Sequence, residues 1–320
     1  VKELSALEGW KRSLIDIDQL SSRDIEWIIQ TAKSFDEVSR RAVKKVPTLR
    51  GKTVVNLFYE PSTRTRMSFE LAAKRLSADV LNFSTDNSSV AKGEGLKDTV
   101  LTLQAMGVDA LVVRHPVAGA PELISRWVEV SVINAGDGMH AHPTQALLDV
   151  YSLHRRLGDL DGKTIGMVGD ILHSRVARSN IQAMTMMGAK LILVAPPTLM
   201  PRDLGGWKVE TSYMLDEVID QLDVIYLLRL QLERQEEGLV PSLEEYAHYY
   251  QLNADRLARA RKDVIVMHPG PMNRGVEIAA EIAEHPCAII LDQVTNGVAV
   301  RMAVLIMLLG GREPGGKVHV

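Results

Sequence analysis

Thr53-Val54-Val55-Asn56-Leu57-Phe58-Tyr59-Glu60-Pro61-Ser62-Thr63-Arg64-Thr65-Arg66 is the stretch on which the reading of this chain turns. Its first six residues are β-branched or apolar apart from Asn56, a short run of the kind a parallel sheet buries on both faces, and Pro61 interrupts it. Beyond the loop the period changes. Phe69, Ala72, Ala73 and Leu76 recur at the spacing of one helical face, while Glu70, Lys74 and Arg75 can point to water. Strand, polar loop and helix in that order aim the positive end of the helix dipole at the loop. A helix N-terminus offering backbone N–H groups, the hydroxyls of Ser62, Thr63 and Thr65 and the guanidinium groups of Arg64 and Arg66 is chemically a socket for a phosphate dianion. The plainer alternative is an N-cap, Ser62 or Thr63, followed by exposed arginines. Two arginines directly behind the cap oppose the dipole, a conflict that a bound anion would remove.

Working outward, strands read at Thr53 to Phe58, Asp79 to Phe83, Ala110 to Val113 and Ser131 to Asn134, with helical spacing between them. This alternation implies a parallel sheet covered on both faces. A helix from Thr144 to about Leu157, stopped by Gly158, leads to a second series: Thr164 to Val168, Lys190 to Ala195, Asp223 to Leu228, Val264 to Met267 and Ala288 to Leu291. A last apolar helix from about Asn296 to Leu309 packs between elements. The fold expected is α/β, two doubly wound parallel-sheet domains joined by helices. Residues 1–145, with helix 296–310 packing back on them, form the first domain and residues 146–295 the second.

The 320 residues are 46% hydrophobic and 24% charged with a net charge of −3, which excludes a general nucleic-acid binder. The one cysteine, Cys287, excludes an internal disulfide and a clustered thiolate metal site, and reads as a core residue beside Ala-Ile-Ile-Leu. Neither a signal peptide nor a run of eighteen apolar residues is visible, so a cytoplasmic protein with no membrane span is expected.

Ligands of open parallel sheets bind beyond the C-terminal ends of the strands, and the polar motifs of this chain collect there. Ser62 to Arg66 follow the first strand, Ser88-Ser89-Val90-Ala91-Lys92-Gly93-Glu94 the second, Arg114-His115-Pro116 the third and Asn134 to Gln145 the fourth. In the second series Gly169-Asp170 with Arg175, then Arg229-Leu230-Gln231, then His268-Pro269-Gly270-Pro271 take the same places.

Phe58 to Arg66 and His142-Pro143-Thr144-Gln145 resemble the two signatures of the transcarbamoylases, and the remaining motifs stand in the order found in aspartate carbamoyltransferase catalytic chains. The resemblance implies transfer of the carbamoyl group of carbamoyl phosphate to the amino group of L-aspartate, a step of pyrimidine biosynthesis, with the active site in the cleft between the domains. It implies that Ser62, Thr63, Arg64, Thr65 and Arg114 hold the phosphate, and that Thr65, Arg114 and His142 face the carbamoyl oxygen. Gln145 and the backbone carbonyls of Pro269 and Gly270 would accept from the carbamoyl NH2. Arg175, Arg229 and Gln231 would hold aspartate, whose two carboxylates call for planar bidentate cations. Ser88 and Lys92 would reach a neighbouring subunit's site, Lys92 touching both substrates, which implies a homotrimer. Arg64, Thr65, Arg114 and His142 would carry the catalysis.

No cofactor and no metal are implied. His140-Ala141-His142 lacks a third ligand, and His115, His140, His154 and His173 read as structural. Without the resemblance, His142 could be a capping or packing residue, Arg114 could pair with a carboxylate, Arg229 could pair with Glu233, and Lys92 could be a solvated lysine. Ala91 and Gly270 depart from relatives that carry a basic residue and a leucine there; position 270 acts through its backbone. Ornithine carbamoyltransferases share the phosphate signature but carry His-Cys-Leu-Pro where this chain has His268-Pro269-Gly270-Pro271, and a Ser-Met-Gly motif absent here. A dinucleotide dehydrogenase, suggested by Gly166-Met167-Val168-Gly169-Asp170, lacks its third glycine. A non-catalytic scaffold would not require every site residue. The run Met272 to Ile278 resembles members that join a dihydroorotase-like chain; a regulatory chain is the other partner the family offers.

Overall fold

The structure is a computed structural model and describes residues 12–84, 95–231 and 239–310. It divides into two compact units, Val1–Tyr151 with Thr295–Val320, and Ser152–Val294. The changes of unit fall inside helices: α5 (Pro143–Leu157) and α10 (Ile290–Leu309) each run from one unit into the other.

The first unit opens with α1 (Ser22–Arg40), capped by a reciprocal pair in which Ser21 Oγ accepts from the Asp24 N–H and the Asp24 carboxylate from the Ser21 N–H. Then β1 (Thr53–Phe58), α2 (Thr63–Arg75), β2 (Asp79–Ser84), α3 (Leu96–Ala105), β3 (Ala110–His115), α4 (Ala120–Trp127) and β4 (Ser131–Asp137) alternate. The four strands are parallel in the order β2-β1-β3-β4. Alternate residues on one face, Val55 and Leu57 of β1, Leu111 and Val113 of β3 and Val132 of β4, pack with Val100 and Leu103 of α3 and Ile124 of α4. Phe69, Ala72, Ala73 and Leu76, the stripe read from the sequence, are all fully buried.

The second unit runs β5 (Thr164–Val168), α6 (Arg175–Met186), β6 (Lys190–Val194), β7 (Glu210–Ser212), β8 (Val224–Leu227), α7 (Leu243–Tyr250), α8 (Ala254–Arg259), β9 (Ile265–Met267) and α9 (Ala280–Ala283). Its five strands are also parallel, in the order β7-β6-β5-β8-β9. Both sheets are thus doubly wound, as expected.

Several boundaries differ from the sequence reading. Arg114 and His115 lie within β3, and Asn134 to Asp137 within β4, because polar side chains at strand ends still pair through their backbones. Ala288 to Leu291 is no strand: Ala288 makes a single bridge to Val266 and α10 begins at Ile290, six residues before the expected start at Asn296. The edge strand Glu210–Ser212 was too short and polar to read. Cys287 is half-buried, not a core residue; its Sγ lies 3.0 Å from His285 Nδ1, and burial pushes the thiol pKa up. By length and mean hydropathy alone α10 could cross a membrane, but it carries Asp292 and Arg301 and 72% of that stretch is buried inside the protein, as in a core helix.

Candidate active site

In the first unit the strand order reverses between β1 and β3, the place where open α/β sheets bind ligands. Phe58 pairs with Arg114 across that seam, and the Tyr59 N–H donates to the Arg114 carbonyl at 2.8 Å. The register therefore sets the loop that opens α2 beside the Arg114 side chain. Ser62 occupies the N-cap of α2, yet its side chain makes no capping hydrogen bond. The plain capping role is not taken up. Thr63 and Arg64 are exposed on the first turn, whereas Thr65 is 7% exposed and turned inward.

Arg114 does pair with a carboxylate, and that carboxylate belongs to the same signature. Its Nη2 donates to Glu60 Oε1 at 2.5 Å and its Nη1 to the Ala135 carbonyl at 3.3 Å. A planar guanidinium with five N–H groups is oriented by two such contacts. The pair is a fixture of the seam and not a surface bridge, since the two side chains are 11% and 23% exposed.

His142 follows the loop after β4, the strand next to β3. Asp137, fully buried, accepts from the N–H groups of Gly119 (2.7 Å) and Ala141 (3.1 Å), from Asn134 Nδ2 (2.8 Å) and from His140 Nδ1 (3.0 Å). One carboxylate thus pins the whole turn leading to His142. The His142 carbonyl accepts from the N–H groups of Gln145 and Ala146, which seats the residue at the start of α5, and its imidazole is buried, 4% exposed. Gln145, one turn on, donates from Nε2 to Asp149 Oδ1 at 3.0 Å.

Behind these groups lies a cation that sequence reasoning missed. Arg301 of α10 is 4% exposed, donates from Nη1 to Ser68 Oγ at 2.8 Å and sits 5.1 Å from the Phe69 ring centre. Burial pushes its guanidinium down to about 10, the charge of Asp149 opposing the shift and that of Arg114 adding to it. It is still cationic at neutral pH. A depressed value for a base means that burial disfavours its charge.

In the second unit the order reverses between β5 and β8, where Val168 pairs with Leu227 and the Leu228 N–H donates to the Val168 carbonyl at 2.7 Å. Asp170, fully buried, accepts from the His173 N–H (3.1 Å), His173 Nδ1 (2.8 Å) and the Gln231 N–H (3.4 Å). It ties the start of α6, where Arg175 is 5% exposed, to the segment carrying Arg229 and Gln231, both half-buried. The next loop is held by His268: its Nδ1 accepts from the Gly270 N–H at 2.8 Å, so its Nε2 carries the proton and donates to buried Glu277 at 3.1 Å. The backbone of Pro269 and Gly270 is thereby held in place.

In the first unit Ser62 to Thr65 and Arg114 stand at the switch point, while His142 and Gln145 follow the edge strand β4; in the second Arg175, Arg229 and Gln231 stand at the switch point, while Pro269 and Gly270 follow the edge strand β9. Ser88, Lys92, Ala91 and Glu233 lie outside the described residues. Asp137, Asp149, Glu277 and Arg301 carry no site role in the sequence reading, and Asp170 enters it only as part of the Gly169-Asp170 motif; a polar residue amid an apolar helix, such as Asp149 or Arg301, is the available signal. No cluster of three metal-ligating side chains occurs among the described residues.

Residues 12–155 match the family model of the aspartate/ornithine carbamoyltransferase carbamoyl-P binding domain, and residues 161–308 that of the Asp/Orn binding domain. The aspartate carbamoyltransferase catalytic subunit of Acidothermus cellulolyticus is 56% identical, over 95% of this chain and 94% of its own length. That of Desulfitobacterium hafniense is 53% identical over 98% and 99%. Among solved structures, aspartate transcarbamoylase from Trypanosoma cruzi in complex with carbamoyl phosphate and aspartate superposes with a TM-score of 0.86 at 35% identity, covering 93% of this chain and 97% of that one. The same enzyme with N-(phosphonacetyl)-L-aspartic acid gives 0.87 at 34% identity, covering 96% and 99%. With both halves matched and relatives of this identity along nearly the whole length, the chain belongs to the aspartate/ornithine carbamoyltransferase family.

Proposed function

We propose that the protein transfers the carbamoyl group of carbamoyl phosphate to the amino group of L-aspartate, giving N-carbamoyl-L-aspartate and phosphate. The observation that carries this is the seam of the first sheet, where an uncapped helix N-terminus stands beside a buried, oriented arginine. The amine attacks the carbamoyl carbon, charge collects on the carbonyl oxygen, the C–O bond to phosphate breaks, and the amine proton leaves with the phosphate. Ser62, Thr63, Arg64, Thr65 and Arg114 bind the phosphate; Thr65, Arg114 and His142 stabilise the oxyanion. Gln145 and the carbonyls of Pro269 and Gly270 accept from the carbamoyl NH2. Arg175 and Arg229, with Gln231, hold the aspartate carboxylates, and two arginines suit a dicarboxylate where ornithine would need an acid for its ammonium. Ser88 and Lys92 complete the site of a neighbouring subunit in a homotrimer, and the enzyme works in the cytoplasm without cofactor; these readings rest on the family resemblance. The test supplies carbamoyl phosphate with L-aspartate or with L-ornithine and measures the carbamoylated product. Product from aspartate alone is expected. Product from ornithine, or none from either, would overturn the assignment.

A further inference from the structure

We propose that Asp149, backed by Arg301, is a positioning residue that fixes which end of the Gln145 amide faces the substrate. A carboxylate accepts hydrogen bonds and donates none, so the bond from Gln145 Nε2 to Asp149 Oδ1, at 3.0 Å, commits the amide nitrogen to Asp149 and turns Oε1 the other way. Gln145 and Asp149 are one turn apart on α5, and that bond runs along the helix away from the end that carries His142. All three groups are buried: Gln145 is 9%, Asp149 0% and Arg301 4% exposed.

Burial pushes the Arg301 guanidinium down and the charge of Asp149 opposes that shift, so the two charges favour each other. Ser68 Oγ and the Phe69 ring hold the guanidinium from α2, within one turn of Thr65. Gly297 makes room for it. A Cβ on Gly297 would stand 2.7 Å from Arg301 Nη1 and 3.1 Å from Leu148 Cδ2, so the helix leaves out a side chain where the guanidinium folds back. Arg301 thus joins α10 to α2, and Asp149 holds the Gln145 amide along α5.

The consequence rests on the function proposed above. A carbamoyl NH2 offers two donors and needs acceptors, which Gln145 supplies only with its oxygen turned toward the ligand; a reversed amide would set NH2 against NH2. Acetyl phosphate, with a methyl in place of the NH2, is indifferent to that choice.

The experiment measures binding of carbamoyl phosphate and of acetyl phosphate by calorimetry, with thermal unfolding in parallel, for the wild-type protein, Asp149→Asn and Gly297→Ala. Asparagine can donate to Gln145 Oε1 and so admits the reversed amide. Its preference for carbamoyl over acetyl phosphate should fall about tenfold or more, because a site built to accept from a ligand N–H discriminates through that bond. Acetyl phosphate affinity should stay within about twofold. Gly297→Ala, whose Cβ displaces the Arg301 guanidinium while gaining helix propensity, should shift the preference the same way by less; once thermal unfolding shows it folded, it decides the matter if Asp149→Asn does not fold. Equal weakening of both ligands, or an unchanged preference, would overturn the positioning role. A wild-type protein that binds no carbamoyl phosphate and makes no carbamoyl-aspartate would instead overturn the function itself, and would do so before any variant is compared.

Discussion

The loops at the two switch points, Tyr59 to Thr65 after β1 and Gly169 to Ser174 after β5, occupy equivalent places in their sheets and handle polarity in opposite ways. In the first, donors dominate: the cap hydroxyl is not used for capping, Thr63 and Arg64 stand exposed on the opening turn, and the one acid, Glu60, orients Arg114. In the second, a fully buried carboxylate, Asp170, gathers the N–H groups of His173 and Gln231, and Arg175 is drawn inward behind a capped helix start. One end of a parallel strand can thus be an anion socket made of backbone and hydroxyls, or a scaffold that fixes where arginine side chains stand. The first arrangement suits a phosphate, which any cluster of donors can wrap. The second suits a dicarboxylate, which must be measured by cations at set positions.

Three substitutions break or sharpen that contrast. The largest effect belongs to the donor-rich loop: Arg64→Ala should lower turnover about a hundredfold, through the loss of about 3 kcal/mol of transition-state stabilisation, and should weaken inhibition by inorganic phosphate. Steady-state rates with phosphate as competitor measure both, and a variant that keeps its phosphate inhibition would remove the socket from the account.

Arg229→Ala should leave carbamoyl phosphate binding within about twofold while raising the aspartate KM at least about tenfold, since a bidentate partner is gone from a half-buried site. A normal aspartate KM would mean that the scaffold of the second unit holds something other than this substrate.

The smallest effect tests whether the stability of the second unit lies away from its site. Arg256, 8% exposed at its side chain, grips Asp216 through Nε and Nη2, both at 3.0 Å, and also reaches the carbonyls of His248 and Gln251. The Arg256 hydrogen bond holds the Asp216 carboxyl below its ordinary 3.8. A lowered carboxyl stabilises the fold above its free value and loses that contribution as the pH falls through the folded one. Asp216→Asn should cost about 1 kcal/mol at pH 7, limited by the exposure of Asp216 to solvent, with aspartate kinetics unchanged. The difference from wild type should shrink below about pH 3.8 in denaturation curves. A constant difference down to pH 2 would assign the effect to packing.

Much of this was readable along the chain because the deciding features are local. The switch from a buried apolar run to helical spacing across Pro61 marks β1 and α2, and the polar motifs follow their strands in order. Ala288 to Leu291 misled because four apolar residues fit a buried strand or the start of a buried helix equally well. The ends of β3 and β4 were set short because Arg114 and Asn134 break the apolar pattern although their backbones continue the ladder.

The sequence by itself determined the alternation of strand and helix and the family, since each depends on residues close together in the chain. Only the tertiary structure decided that Phe58 stands opposite Arg114, that Asp137 and Asp170 each tie a loop together, and that Arg301 lies beside Ser68 and Phe69. The physical reason is that burial creates these partnerships. A charge taken out of water must find a partner wherever the fold brings one, and no period or spacing along the chain records which distant residue that will be.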